Sequence, residues 1–174
     1  NCDLADGRAI AVIIDLCNDL GMDSIESGNA VSVAMEASER ELVKDRIPWG
    51  DPDAILDLVR RIALRQGIGN DLADGPARAA AKWGAAEISM SVKGQSIAAY
   101  DPRGLKGMGL GYATSNRGAC HLRAYTIAVE ILGSPQLVER TVTDQKAFWT
   151  IAFQNTTAAW DSTGICLFTS FMIG

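Results

Sequence analysis

Histidine is nearly absent from this chain, with one residue in 174, and aromatic residues make up only 6%. No Cys-x-x-Cys pair occurs, so spacing alone gives Cys2, Cys17, Cys120 and Cys166 no signature of a zinc site or an iron–sulfur cluster. Their separations are also unlike those of small disulfide scaffolds, and each neighbours apolar or glycine-rich sequence. They read as reduced thiols of a cytosolic protein. A basic stripe is missing too. The net charge of −5 argues against a nucleic-acid or anionic-membrane partner, since such surfaces must be met by clustered Lys and Arg. The longest unbroken apolar run, Ala9 to Ile14, falls far short of the roughly 20 residues that cross a bilayer. No basic stretch followed by an apolar run suggests a secretory signal, and the first residue is Asn1 instead of Met. The last residues, Phe168 to Gly174, stay apolar to the end, so both ends read as cut.

What is present is ordinary for a folded domain: 48% hydrophobic and 21% charged residues. Ile10, Ile13, Ile14, Leu16, Cys17 and Leu20 recur at helical spacing, with Gly21 as the stop. A second helix is expected over about 29–44, with Ala30, Ala34 and Ala37 permitting close packing. Asp51-Pro52 is a strong start signal for a third, whose buried face is Ile55, Leu58, Val59, Ile62 and Leu64. A fourth is expected over 70–83, shortened or kinked by Gly75-Pro76. Ser89 to Ala99 suits a short hairpin around Lys93-Gly94. Asp144 is placed to cap a last helix over about 145–160. The expected fold is therefore mainly α, with two helical lobes, 1–90 and 91–174, and a glycine-rich segment of irregular backbone through 100–123.

The run Gly104-Leu105-Lys106-Gly107-Met108-Gly109-Leu110-Gly111 is not a nucleotide loop. No Ser or Thr follows a Lys directly after its last glycine, and no strand precedes it with a later acid. Tight packing explains its glycines better. One short internal echo exists: Asn18-Asp19-Leu20-Gly21-Met22-Asp23 and Asp161-Ser162-Thr163-Gly164-Ile165-Cys166 share an amide or acid, two residues, Gly, an aliphatic residue, then Asp or Cys. Each follows an expected helix, as loops facing a common ligand would. His121 lies between Arg117 and Arg123, which suit phosphate or carboxylate oxygens, and imidazole is the side chain suited to moving a proton near neutral pH. A lone histidine is nonetheless more often a hydrogen-bonded structural residue, and Cys120 beside it is poorly placed to act with it as a nucleophile pair.

These segments, together with Tyr100-Asp101-Pro102-Arg103-Gly104, Gly109 to Gly118 and Cys120-His121-Leu122-Arg123, resemble the tungsten-containing aldehyde ferredoxin oxidoreductase family from Cys2 to about Thr169. The resemblance implies the later part of the family's second domain and much of its third, both helical, without the β-rich base domain. It implies a tungsten or molybdenum bis-pterin, held here by Asn18, Gly21, Asp23, Arg117, Arg123, Asp161, Gly164 and Ile165. Asn18 stands where the family prefers Asp, and offers a donor beside a donor. His121 matches a histidine beside the metal, and Cys166 matches the fourth ligand of a 4Fe-4S cluster whose other three ligands lie outside this chain. The reaction implied is oxidation of an aldehyde to a carboxylic acid, with ferredoxin as electron acceptor, in a cytoplasmic enzyme that allows a homodimer. The 174-residue chain alone is expected to be inactive without the missing N-terminal part. The alternatives are a relative that reduces an acyl thioester or an aromatic ring, and a metal-free helical binding module.

Overall fold

The computed structural model describes residues 1–172, so the apolar closing run read from the sequence ends, at 173–174, outside the described residues. The chain divides into two compact units, Asn1–Ser96 and Ile97–Gly174. Both are helical, and the described sheet is one two-stranded hairpin.

The first unit is built from helices that start on acidic caps. In α1 (Gly7–Asp19) the Asp6 carboxylate accepts from the Arg8 and Ala9 N–H groups. In α2 (Ser24–Glu39) Asp23 accepts from the Glu26 N–H at 2.7 Å, which sets the start at Ser24, ahead of the expected Asn29. In α3 (Pro52–Ala63) Asp51 caps and Pro52 takes the first turn, as the sequence predicts. Leu64 falls just past this helix and is exposed, whereas Ile55, Leu58, Val59 and Ile62 are buried as expected. The expected fourth helix is two short ones, α4 (Ile68–Leu72) and α5 (Pro76–Lys82). Gly75 at φ +102° and Pro76 behind it make continuation impossible. The corner between α3 and α4 is tight, since a Cβ on Gly69 would lie 2.3 Å from the backbone carbonyl of Arg61. Val31, Ala34, Met35, Leu58, Val59 and Leu72 form the core, with Ala30 and Ala34 letting α2 lie close to its neighbours. The hairpin follows: β1 (Ser91–Val92) pairs antiparallel with β2 (Gln95–Ser96) around Lys93-Gly94. It is tied to α2 by Ser96, whose hydroxyl donates to Glu26 at 3.0 Å.

In the second unit the glycine-rich segment is irregular on both sides of a helix not expected there, α6 (Lys106–Thr114). Glycine disfavours helix by about 1 kcal/mol per residue, and packing overrides that here. A Cβ on Gly111 would sit 2.6 Å from the Ala124 Cβ, and one on Gly107 would sit 2.8 Å from the Thr126 hydroxyl. The missing side chains are what let α6 lie directly on the following segment. Ala128–Leu132 is a single wide π-helical turn. The last long helix, α7 (Lys146–Asp161), begins without the expected Asp144 cap. Gln145 occupies the cap position in a left-handed conformation, and no side chain caps the helix. The buried Lys146 fixes its start through an ion pair with Glu130.

Both units leave apolar side chains in water. On α1 these include Val12 and Ile14; on α7 they are Phe148 and Ile151, at 65% and 60% exposed. Among the described residues no helix is long and apolar enough to cross a membrane.

Candidate functional site

The second unit contains a cavity of about 470 Å³ where α6 and α7 end. Thr114, Ser115 and Asn116 line one wall, Gln154, Ala158, Asp161 and Ser162 the other, and Arg123 reaches in from the segment between. Asp161 is the last residue of α7. Its carboxylate binds the Arg123 guanidinium, Nη1 to Oδ2, at 2.5 Å. The cation also lies at a helix C-terminus, where the dipole favours positive charge. Arg123 Nε is buried and has no hydrogen-bond partner, a costly state for a guanidinium nitrogen unless something completes it. Asp161 remains 42% exposed, so the carboxylate is held in place while still open to the cavity. Behind it, the chain turns at Gly164, φ +72°, whose N–H donates to the Asp161 carbonyl at 3.2 Å. Ile165 and Cys166 follow, both exposed.

His121 lies in the irregular backbone before this site and is half-buried. Its ring meets that of Tyr100, centroids 5.6 Å apart and tilted by 52°. Tyr112 donates to the Tyr100 carbonyl at 3.2 Å, and Tyr125 hydrogen-bonds the Tyr100 side chain. The chain's three tyrosines thus gather at one point beside its single histidine. Burial first, then neighbouring tyrosines, pushes both Tyr112 and Tyr125 up from the ordinary phenol range, so they stay neutral. Arg117 is exposed, and its backbone N–H donates to the Ser115 hydroxyl at 3.1 Å. Nearby Asp101 grips Arg103 through the backbone N–H at 2.8 Å and the guanidinium at 2.6 Å, which lowers its carboxyl to about 2.

The echoing loop of the first unit has the same local form. Asn18 and Gly21 are exposed, and Gly21, φ +68°, donates to the Asn18 carbonyl at 3.1 Å. Asp23 differs in its task, because one of its oxygens caps α2. A Cβ built on Gly21 or Gly164 would meet nothing within 4 Å, so both glycines serve a left-handed turn and leave open space in front of them. Cys17 is buried in the core, where desolvation chiefly, with Asp23 adding, raises its thiol against the pull of Ser27. It is a structural thiol. Cys2 is half-buried and raised by burial, Cys120 is buried, and all four cysteines are free. Among the described residues no three His, Cys, Asp or Glu side chains cluster in a way that would hold a metal ion.

The resemblance assigns Arg123 and Asp161 to the site; Thr114 and Asn116 stand in its Gly109 to Gly118 run without a role, and Gln154 is not among its residues. Gln154, Ala158 and Asp161 repeat at helical spacing on α7, a signal available once that helix was assigned. Glu130 and Lys146 were also missed, although an acid inside the apolar run 127–132 is itself a sign of a buried partner.

Comparison with known proteins bears on this arrangement. The family model described as aldehyde ferredoxin oxidoreductase, domains 2 and 3, matches residues 1–173. The chain is 41% identical over 182 residues to the tungsten-containing aldehyde ferredoxin oxidoreductase of Pyrococcus furiosus, an alignment covering 100% of this chain and 30% of that protein. It is 40% identical over 166 residues to the protein of the same description from Thermococcus kodakarensis, covering 91% and 27%. A more distant relative, the aliphatic sulfonate oxidoreductase WOR-like subunit of Pyrococcus furiosus, is 28% identical over 134 residues, covering 70% and 22%. The chain spans about 30% of the length of the first of these relatives.

Proposed function

The chain belongs to the aldehyde ferredoxin oxidoreductase family, and from that premise we propose that it forms the cofactor-holding helical part of an enzyme that oxidises aldehydes to carboxylic acids. One observation carries this reading: the Asp161 carboxylate, steadied by Arg123, opens on a cavity of about 470 Å³ beside a left-handed glycine turn. A pterin presents an amino group and a ring N–H side by side, and a carboxylate accepts both. Arg123 occupies Oδ2 and itself lines the cavity, so the carboxylate meets the ligand with a cation beside it. Gly164 allows the turn that brings the exposed Ile165 and Cys166 after the acid. The residues present therefore fit the pterin edge. In the other loop, Asn18, Gly21 and Asp23 take the corresponding part, with Asp23 keeping one oxygen on the α2 cap. Arg117, exposed, is assigned to the anionic portion of the cofactor.

The tungsten bis-pterin, when bound, accepts the two electrons released as R-CHO and water become R-COOH and two protons. His121 hydrogen-bonds the aldehyde oxygen or takes a proton as the hydrate becomes the acid, and Tyr100 limits the freedom of its ring. Cys166, exposed, would supply one thiolate to a 4Fe-4S cluster, a group whose chemistry would be one-electron transfer toward a ferredoxin. The chain's other cysteines are buried or half-buried and do not serve it.

The test is metal and pterin content of the intact protein that carries this chain. Asp161→Asn places a donor opposite a donor and should lower pterin and tungsten together, while iron stays. Cys166→Ala should lower iron and leave pterin. Full pterin and tungsten in Asp161→Asn would overturn the pocket assignment.

A further inference from the structure

Glu130 stands outside the cavity above, yet it is fully satisfied inside the second unit. Oε1 accepts from the Gly107 N–H at 2.8 Å and faces the Lys146 ammonium at 3.1 Å. Oε2 accepts from the Met108 N–H at 3.3 Å and the Thr126 hydroxyl at 2.9 Å. Gly107 and Met108 lie in the first turn of α6, and Lys146 is the first residue of α7. One buried carboxylate therefore holds the first-turn N–H groups of α6 directly, an anion at a positive dipole end, and the start of α7 through the Lys146 side chain. Further along, Gln154 of α7 donates to the Thr114 hydroxyl of α6 at 2.9 Å. Thr114 lies eight residues after Lys106, the first of α6, and Gln154 lies eight after Lys146. The two helices thus run parallel and in step over roughly 12 Å. Thr114 and Gln154 both line the cavity, and α7 continues past them to Asp161.

We propose that Glu130 is a positioning residue for this pocket: by pinning the starts of α6 and α7 at one height, it sets the spacing between the Thr114–Asn116 wall and Asp161 at their far ends. The proposal rests on the reading of the pocket as a pterin site. Each contact in the chain of action is direct. Glu130 holds Lys146, Lys146 is continuous with α7, and α7 ends in the carboxylate that accepts the ligand. Lys146 is also held by the Glu139 carbonyl at 2.6 Å, which anchors the ammonium to the preceding loop but not to α6; Glu130 supplies that link. Contiguous networks of this kind transmit coupling between sites too far apart to touch.

The experiment uses the intact protein that carries this chain, with Glu130→Gln, Lys146→Met and Asp161→Asn, and a control, Leu58→Ala, in the core of the first unit. The readouts are pterin and tungsten per chain and the half-time of pterin loss on dilution, all at a temperature where circular dichroism shows each variant folded. Glu130→Gln and Lys146→Met should release pterin about tenfold faster than the unaltered protein, whereas Leu58→Ala, matched for loss of melting temperature, should release it at the unaltered rate. Unaltered release from Glu130→Gln alongside rapid release from Asp161→Asn overturns the positioning role and leaves the pocket reading standing. Unaltered release from Asp161→Asn overturns the pocket reading itself. Equal loss in Leu58→Ala would show that general stability, not helix register, governs retention. Where Glu130→Gln does not accumulate, Thr126→Val removes one of the four contacts while keeping side-chain shape, and should give the same result at smaller scale.

Discussion

At the scale of single residues, the ion pair and the histidine of the second unit call for different tests. Asp161 and Arg123 are paired, while the His121 ring packs against that of Tyr100, beside Tyr112 and Tyr125, which burial keeps neutral. Replacing His121 with Asn keeps a hydrogen-bonding side chain of similar reach but removes the titrating nitrogen. In the intact protein this substitution should leave metal content unchanged and lower turnover by roughly 100-fold or more, the usual scale for loss of a positioned acid or base. Turnover measured across pH checks it: an unchanged rate and profile would make His121 a structural residue.

At the scale of elements, the contrast between Asp51 and Asp144 shows what a cap signal in sequence is worth. Both precede an expected helix. Asp51 accepts from the Asp53 and Ala54 N–H groups at 2.9 and 3.2 Å, with Pro52 already in helical conformation. Asp144 lies one residue too early, because α7 starts where Lys146 meets Glu130. Asp51→Ala should therefore cost about 1 kcal/mol, and Asp144→Ala should stay within about 0.5 kcal/mol; urea unfolding followed by helical circular dichroism would measure both. Equal losses would mean that Asp144 does cap in solution. The same contrast marks how far the sequence could be read. Helices announced by local chemistry, Asp51-Pro52 or the stop at Gly75-Pro76, were legible, as was the turn at Lys93-Gly94. Helix α6 was not, because its cause is non-local: glycines that look like loop residues are demanded by Ala124, Thr126 and Glu130 lying against them. Within the site, the echo of two glycine turns was visible as a motif. The Arg123–Asp161 pair needed the fold, since 38 residues separate its members and nothing between them fixes which arginine would reach the acid.

At the scale of the whole molecule, two compact units carry one family's signature along their full matched length, yet the chain spans about 30% of the first relative's length. The apolar residues left in water on α1 and α7 have a consequence for how copies of the chain treat one another in solution. A net charge of −5 keeps copies apart at low ionic strength, but that repulsion decays over about 10 Å at 0.1 M salt. Attraction between exposed Phe148, Ile151, Val12 and Ile14 is not screened. The second virial coefficient of the isolated chain should therefore fall from positive toward negative as salt is raised, with weak self-association appearing in sedimentation velocity at 0.5 M and not at 0.02 M. Phe148→Glu should delay that change by adding repulsion where attraction was. A chain that stayed monodisperse at both salt levels would be behaving as a self-sufficient binding module, and one that associated less as salt rose would be held by ion pairs. The expected sign is the opposite: adding salt to this acidic protein should make its copies less indifferent to one another.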